Sequence, residues 1–160
     1  MAISAEAQAA QGQPKLFSVR IRGDWAGGVR TDVKIRSFDP IVIDEPAVLG
    51  GNDAGPNPVE YVLAGLAGCA SVMLAVVSQE KGMTYQDAHF DLVGTLDVRG
   101  LEGVEGVCPF FSVVRGTVKV KTAASDELFE SVVADIERRC PVYSMMKAAG
   151  VEMEIRWEKA

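Results

Sequence analysis

Three cysteines and one histidine are the residues of this chain most able to do chemistry beyond simple acid–base exchange. Cys69 stands among small residues, Ala64-Gly65-Leu66-Ala67-Gly68-Cys69-Ala70-Ser71, inside what reads as a long helix. Two glycines in a helix interior cost about 1 kcal/mol each relative to alanine, so something must compensate. Close approach of another element is one answer, and room for a substrate beside the thiol is the other. Cys140 directly precedes Pro141. If Pro141 opens a helix, Cys140 is its N-cap, and its sulfur faces free amide groups and the positive end of a helix dipole, which favours thiolate. Arg138 and Arg139 would add to that field. The plainer reading is a small hydrophobe at a helix kink. Cys108, in Gly106-Val107-Cys108-Pro109, follows a glycine-rich loop with no evident charge partner and reads as a bystander.

A mid-helix cysteine and a Cys-Pro at a helix start are also how a peroxidatic and a resolving thiol can be built. The first attacks a peroxide oxygen and becomes a sulfenic acid, and the second condenses with it to a disulfide. Cys69 is far from any helix terminus, so a lowered pKa would need a cation from elsewhere. Arginine is the best candidate, being permanently charged and a fork-shaped donor. A single histidine, His89, excludes most zinc and haem sites and most Ser–His and Cys–His hydrolase schemes. Its neighbours Phe90 and Leu92 alternate with polar residues, so His89 reads as an ordinary strand residue.

The elements that must position these residues follow from patterning. Phe17 to Arg22 alternates apolar and polar residues and predicts a strand. Gly27-Gly28 predicts a turn, with the chain returning over Val29 to Ile35, and Ile41 to Ile43 is a short third strand. A loop from Gly50 to Pro56 leads to Asn57-Pro58-Val59-Glu60, where Asn57 caps, Pro58 takes the first helical position and Glu60 reaches back to the cap. The helix should end at Lys81, before Gly82. Its almost charge-free core, Val62 to Val77, is shorter than the ~20 residues of a membrane span and reads as a central, wholly buried helix of a soluble protein. Strands are expected over Ala88 to Val98 and Phe110 to Lys121. Ser125 caps a second helix whose apolar stripe is Leu128, Val132, Val133 and Ile136; a short helix runs from Pro141 to Ala149, and Val151 to Trp157 is a last strand. Segregated helices and hairpin links indicate an α+β fold with largely antiparallel sheet.

The 160 residues suit a single domain over 15–160 behind a flexible tail over 1–14. A net charge of −6 argues against nucleic acid and anionic membrane as partners. No basic, apolar leader opens the chain, so a reducing cytoplasmic location is expected, where cysteines are reactive or buried rather than structurally bridged. An odd cysteine count agrees.

Asn57-Pro58, the helix carrying Ala67-Gly68-Cys69, and Cys140-Pro141-Val142 together resemble the OsmC/Ohr family, and Gly27-Gly28-Val29-Arg30-Thr31 is similar to its Gly-Gly/Arg turn. The resemblance spans Phe17 to Trp157. It implies sheets wrapped around two long central helices in an intertwined homodimer, with active sites at the dimer interface. It further implies thiol-dependent reduction of organic hydroperoxides, and less well of hydrogen peroxide, in defence against oxidative stress. By that similarity Cys69 is the peroxidatic and Cys140 the resolving cysteine. Arg30 stabilises the thiolate, with Arg20, Arg22 and Arg36 as rivals. The electron donor is a dithiol, often lipoyl-linked, and neither cofactor nor metal is expected. The family's best-characterised reductases place a glutamate directly after Asn-Pro. Here that position is Val59, and Glu60 follows one residue later, a rotation of about 100° on a helix. Glu60 is thus either the catalytic carboxylate displaced by one position or a capping residue. The departure resembles a divergent branch and leaves a second reading open, a non-catalytic dimeric binding or redox-sensing module with an apolar interface pocket.

Overall fold

A computed structural model describes residues 13–160. The expected tail over 1–14 therefore lies almost wholly outside the described residues. The chain forms two compact units, one ending at Asn57 and one spanning Pro58–Ala160.

In the N-terminal unit, β1 (Ile21–Gly27), β2 (Arg30–Ile35) and β3 (Ile41–Ile43) form an antiparallel sheet in that order. Gly27 and Gly28, at φ of 105° and 54°, make the turn that L side chains rarely permit. That turn sets the register, pairing Gly27 with Arg30 and Ile21 with Ile35. The expected strand over Phe17 to Arg22 is therefore shifted to Ile21–Gly27. β2 ends at Ile35, and Arg36 turns the chain at a φ of 52°, so residues before Ile21 meet no strand of β2. Phe17 and Val19 are left exposed. After β3, the buried carboxylate of Asp44 accepts backbone N–H groups of Glu45, Asn52 and Ala54 at 2.9, 3.0 and 3.1 Å. These bonds hold Asp44 below its ordinary pKa against the opposing effect of burial, and they fold the 44–56 loop on itself. The loop needs glycine at 51, where a Cβ would stand 1.7 Å from the Glu45 carbonyl oxygen.

The C-terminal unit opens with α1 (Pro58–Lys81), 24 residues long. It stops at Gly82, φ 73°, where the Met83 N–H reaches back to the Ser78 carbonyl, a left-handed helix cap. β4 (Asp87–Thr95) pairs antiparallel with β5 (Val113–Lys121), and β6 (Glu152–Lys159) pairs parallel with β5. A parallel pair needs a crossover, which α2 (Asp126–Arg139) and α3 (Pro141–Ala148) supply. The expected strand over Ala88 to Val98 stops at Thr95, because Asp97 caps a 3-10 turn over Val98–Gly100 by accepting the Arg99 N–H. The strand expected from Phe110 starts at Val113. Ser125 caps α2 as expected, accepting the Leu128 N–H, and its stripe includes the buried Phe129 as well as Val132 and Ile136.

The helix α1 is not wholly buried. Leu66, Ala70, Leu74 and Val77, at helical spacing, form its buried stripe, while Gly65, Gly68, Val72 and Val76 are exposed. Its length and composition alone would suit a membrane span. The buried stripe is instead matched to two apolar clusters. One gathers Leu74, Val77, Val118, Val120, Phe129, Val132 and Ile136 between α1, β5 and α2. The other gathers Leu66, Phe111, Val114, Tyr143, Met146 and Val151 around Cys140.

Candidate active site

Cys140 joins α2 to α3, and local chemistry explains its place. The residue before a proline is driven to extended backbone, and Cys140 adopts φ −69°, ψ 115°. It therefore ends α2, donating its N–H to Ile136, and caps α3, whose first residue Pro141 has no N–H to satisfy. Its Sγ accepts the Tyr143 N–H at 3.5 Å. Cys69 lies midway along α1 and borders the same apolar cluster.

The two sulfurs stand 2.7 Å apart, with the Cys140 thiol directed at the Cys69 sulfur. A disulfide bond is ~2.0 Å long, so a sub-ångström approach closes it. The two cysteines that sequence leaves 71 residues apart are brought together; Cys108 is not, and lies exposed on the β4–β5 connection. His89 is an exposed residue of β4 paired with Lys119.

The expectation that the α3 terminus favours a Cys140 thiolate is overturned. Burial, and then the hydrogen bond to Cys69, push the Cys140 thiol up to about 11, and the Tyr143 N–H only partly opposes them. A fully enclosed sulfur loses more by leaving water than one helix end returns. Nor do the adjacent arginines help: Arg138 is bound to Asp135 and Arg139 to both Glu80 carboxylate oxygens. The sign of the linkage gives a prediction. A group whose folded pKa is raised supports the fold below its unfolded value of ~8.5 and withdraws that support as pH rises toward about 11. Thermal melts of the reduced protein should fall across that window, and more steeply than those of the protein with its disulfide closed. A melting temperature flat from pH 8.5 to 11 would contradict the raised value.

Arg30 belongs to the N-terminal unit. There its guanidinium grips Asp32 with two bonds, Nε to Oδ1 at 2.8 Å and Nη2 to Oδ2 at 3.0 Å. The pairing raises Arg30 and lowers Asp32 from their ordinary values, and the charge of Asp44 adds to the effect on Arg30. Sequence reading missed Asp32, although positions i and i+2 of a strand share a face. Arg36 stacks over the Phe38 ring at 4.6 Å. Glu60 is exposed in the first turn of α1, whereas Val59 packs against the Cys140 cluster. Of the two neighbours, Val59 is therefore the one that the apolar cluster around Cys140 covers.

Tyr143 was also missed. It is buried against Cys140, and burial together with the Glu137 carboxylate, to which it is hydrogen-bonded, pushes its phenol up to about 12. The only sequence signal was its place at the third residue after the cap. Leu66, Ala70, Phe90, Ile136 and Trp157 line a small apolar cavity behind the Cys140 sulfur. Among the described residues, no group of three or more His, Cys, Asp or Glu could hold a metal ion.

A family model described as OsmC-like protein matches residues 50–156. No curated protein matches the chain significantly. Among solved structures, an OsmC-like protein from Mycoplasma pneumoniae superposes with a TM-score of 0.75 at 14% identity, covering 90% of this chain and 98% of its own. An organic hydroperoxide resistance protein from Elizabethkingia anophelis superposes at 0.71 and 15% identity, over 92% and 100%. OhrB of Bacillus subtilis, also an organic hydroperoxide resistance protein, superposes at 0.59 and 19% identity, over 90% and 100%. At these identities the likeness is one of fold.

Proposed function

The chain belongs to the OsmC-like family, and on that premise we propose that it is a thiol peroxidase that reduces organic hydroperoxides in defence against oxidative stress. The observation that carries this reading is the 2.7 Å separation of the Cys69 and Cys140 sulfurs. Cys69 is the attacking thiol. Its sulfur takes the terminal oxygen of ROOH, the O–O bond breaks, and the alkoxide leaves as ROH after taking a proton. The resulting Cys69 sulfenic acid then meets the Cys140 thiol. The S–S bond forms, the S–OH bond breaks, and the Cys140 proton leaves with the hydroxyl as water. The Cys140 thiol gives up its proton as its sulfur attacks, and the departing oxygen accepts it. The apolar surroundings of the pair favour a hydroperoxide with an apolar body.

On the family resemblance Arg30 is proposed as the arginine that stabilises the attacking thiolate, with Asp32, which grips its guanidinium, in the role the family assigns to the glutamate that Val59 replaces. A dithiol would return the electrons. A homodimer is proposed because the exposed residues Gly65, Gly68, Val72 and Val76 of α1 and Phe17, Val19 and Trp25 of the N-terminal unit would otherwise leave apolar surface in water. A second reading, a dimeric binding or redox-sensing module, draws on Val59. A thiol pair without the family's carboxylate could close slowly, as a signal rather than in turnover.

The test is direct. Reduced protein receives cumene hydroperoxide, free thiols are alkylated in acid, and the peptides are mapped by mass spectrometry. The peroxidase reading expects a Cys69–Cys140 linkage within seconds and loss of one hydroperoxide per linkage. Linkage without matching peroxide loss favours the sensing module, and no linkage removes both.

A further inference from the structure

We propose that the groove between α2 and β6 is a binding site for a small cationic amphiphile, an amine or quaternary ammonium carried on an apolar body. The groove lies wholly within the unit Pro58–Ala160 and encloses about 680 Å³, inside the range of ~300–1,000 Å³ usual for small-ligand sites. One stripe of α2 forms its first wall. Asp126, Phe129, Glu130, Val133 and Glu137 recur at helical spacing and so follow one face of the helix. β6 forms the other wall. Ile155 and Trp157, two residues apart, share a face of the strand, and Glu158 and Lys159 follow at its end.

The lining suits a positive head on an apolar body. Phe129, Val133, Ile155 and Trp157 supply apolar surface, and the faces of aromatic rings attract cations. Four carboxylates, those of Asp126, Glu130, Glu137 and Glu158, stand against one ammonium, that of Lys159. That ammonium is already engaged, since it pairs with Asp126 and donates to the Ala124 carbonyl at 3.0 Å. Among the described residues, no salt bridge reaches Glu130 or Glu158, and both are exposed. The nearby arginines do not compensate them. Arg138 is bound to Asp135, and Arg156 alternates to the opposite face of β6 from Ile155 and Trp157. An anionic amphiphile would find the same apolar surface and meet repulsion from the carboxylates.

Nothing marks this face for burial in the proposed homodimer. The apolar surface that a partner copy would cover belongs to α1 and to the N-terminal unit. Among the described residues, no large apolar side chain of α2 or β6 is exposed, and charged residues are depleted from the cores of protein–protein interfaces. The groove nevertheless adjoins the thiol site. Glu137, Ile155 and Trp157 line both it and the small cavity behind the Cys140 sulfur. An occupant would therefore rest against residues that pack behind Cys140.

The experiment titrates the reduced full chain with decyltrimethylammonium, below its micelle concentration, in a calorimeter. Decanoate is titrated under the same conditions as the anion of similar length. One saturable site per chain is expected for the cation, at least tenfold tighter than for decanoate. Because the chain as a whole is acidic, two variants of equal charge separate the groove from general attraction. Glu130→Gln with Glu158→Gln should weaken the cation at least fivefold, whereas Glu102→Gln with Glu105→Gln, on the β4–β5 connection, should leave it unchanged. Absence of saturable binding overturns the proposal, as does decanoate binding as tightly as the cation. Equal weakening in the two variants also overturns it, by showing attraction to net charge alone. Neither peroxide nor thiol enters the measurement, so its result stands apart from the peroxidase reading.

Discussion

Replacing Cys69 by serine should abolish hydroperoxide consumption, with a loss of roughly 10³-fold or more, as expected when the attacking group itself is removed. Serine is nearly isosteric, so the fold around α1 should survive, which a far-UV circular dichroism spectrum would confirm. Its hydroxyl holds its proton at neutral pH and cannot attack a peroxide oxygen. Cys140→Ser should behave differently. It leaves the first chemical step intact, so one equivalent of hydroperoxide should still disappear. The reaction then stalls at the Cys69 sulfenic acid, which excess peroxide drives on to the sulfinic form. Peroxide loss measured under single-turnover and multiple-turnover conditions separates the two variants. Wild-type consumption by Cys69→Ser would exclude Cys69 as the attacking thiol, and unimpaired cycling by Cys140→Ser would exclude Cys140 as the resolving one. The contrast follows from the geometry: one sulfur is partly accessible, and the other, fully enclosed, can meet an oxidised partner only from 2.7 Å away.

Gly116→Ala should strongly destabilise the C-terminal unit, although it touches neither thiol. Gly116 lies in the middle of β5, opposite Leu92 of β4 and Ile155 of β6. A Cβ at this position would stand 2.0 Å from the Asp91 carbonyl oxygen and 2.9 Å from a Leu92 methyl carbon. The Leu92 side chain can turn away; the carbonyl is part of the sheet and cannot move without separating β4 from β5. Overpacking of this kind costs about 3 kcal/mol. That should lower the melting temperature of the C-terminal unit by several degrees or more. The consequence reaches the thiols, because Val114, two residues earlier on the same strand, is fully buried against the Cys140 cluster. The variant should therefore also close the disulfide more slowly than wild type below its melting point. An unchanged melting temperature would mean that β4 is not held where the pairing register places it.

Several features were legible in the chain because they are short-range. The start of α1 at Pro58, its stop before Gly82, the Ser125 cap and the Cys140-Pro141 junction each depend on a residue and its immediate neighbours. The resemblance of Cys69 and Cys140 to a known pair also lay in short motifs around each. Other features were misread where a local pattern was incomplete. The alternation over Phe17 to Arg22 is real, but a strand needs a partner, and the turn at Gly27-Gly28 gives that partner to Ile21–Gly27. The apolar run of α1 suggested burial on all sides, yet its stripe is one-sided, because its exposed small residues look chemically much like its buried ones.

The amino-acid order by itself determined where the helices begin and end, which residues could carry redox chemistry, and the family to which the chain belongs, because these are properties of short segments. Only the tertiary structure decided that the Cys69 and Cys140 sulfurs meet, that Cys140 is held as a thiol by burial despite its helix N-terminus, that β6 runs parallel to β5, and that Val59 packs against the apolar cluster around Cys140. The reason is physical. Desolvation, sheet pairing and sulfur–sulfur distance are set by atoms far away in the chain, and no local pattern records which of them arrive.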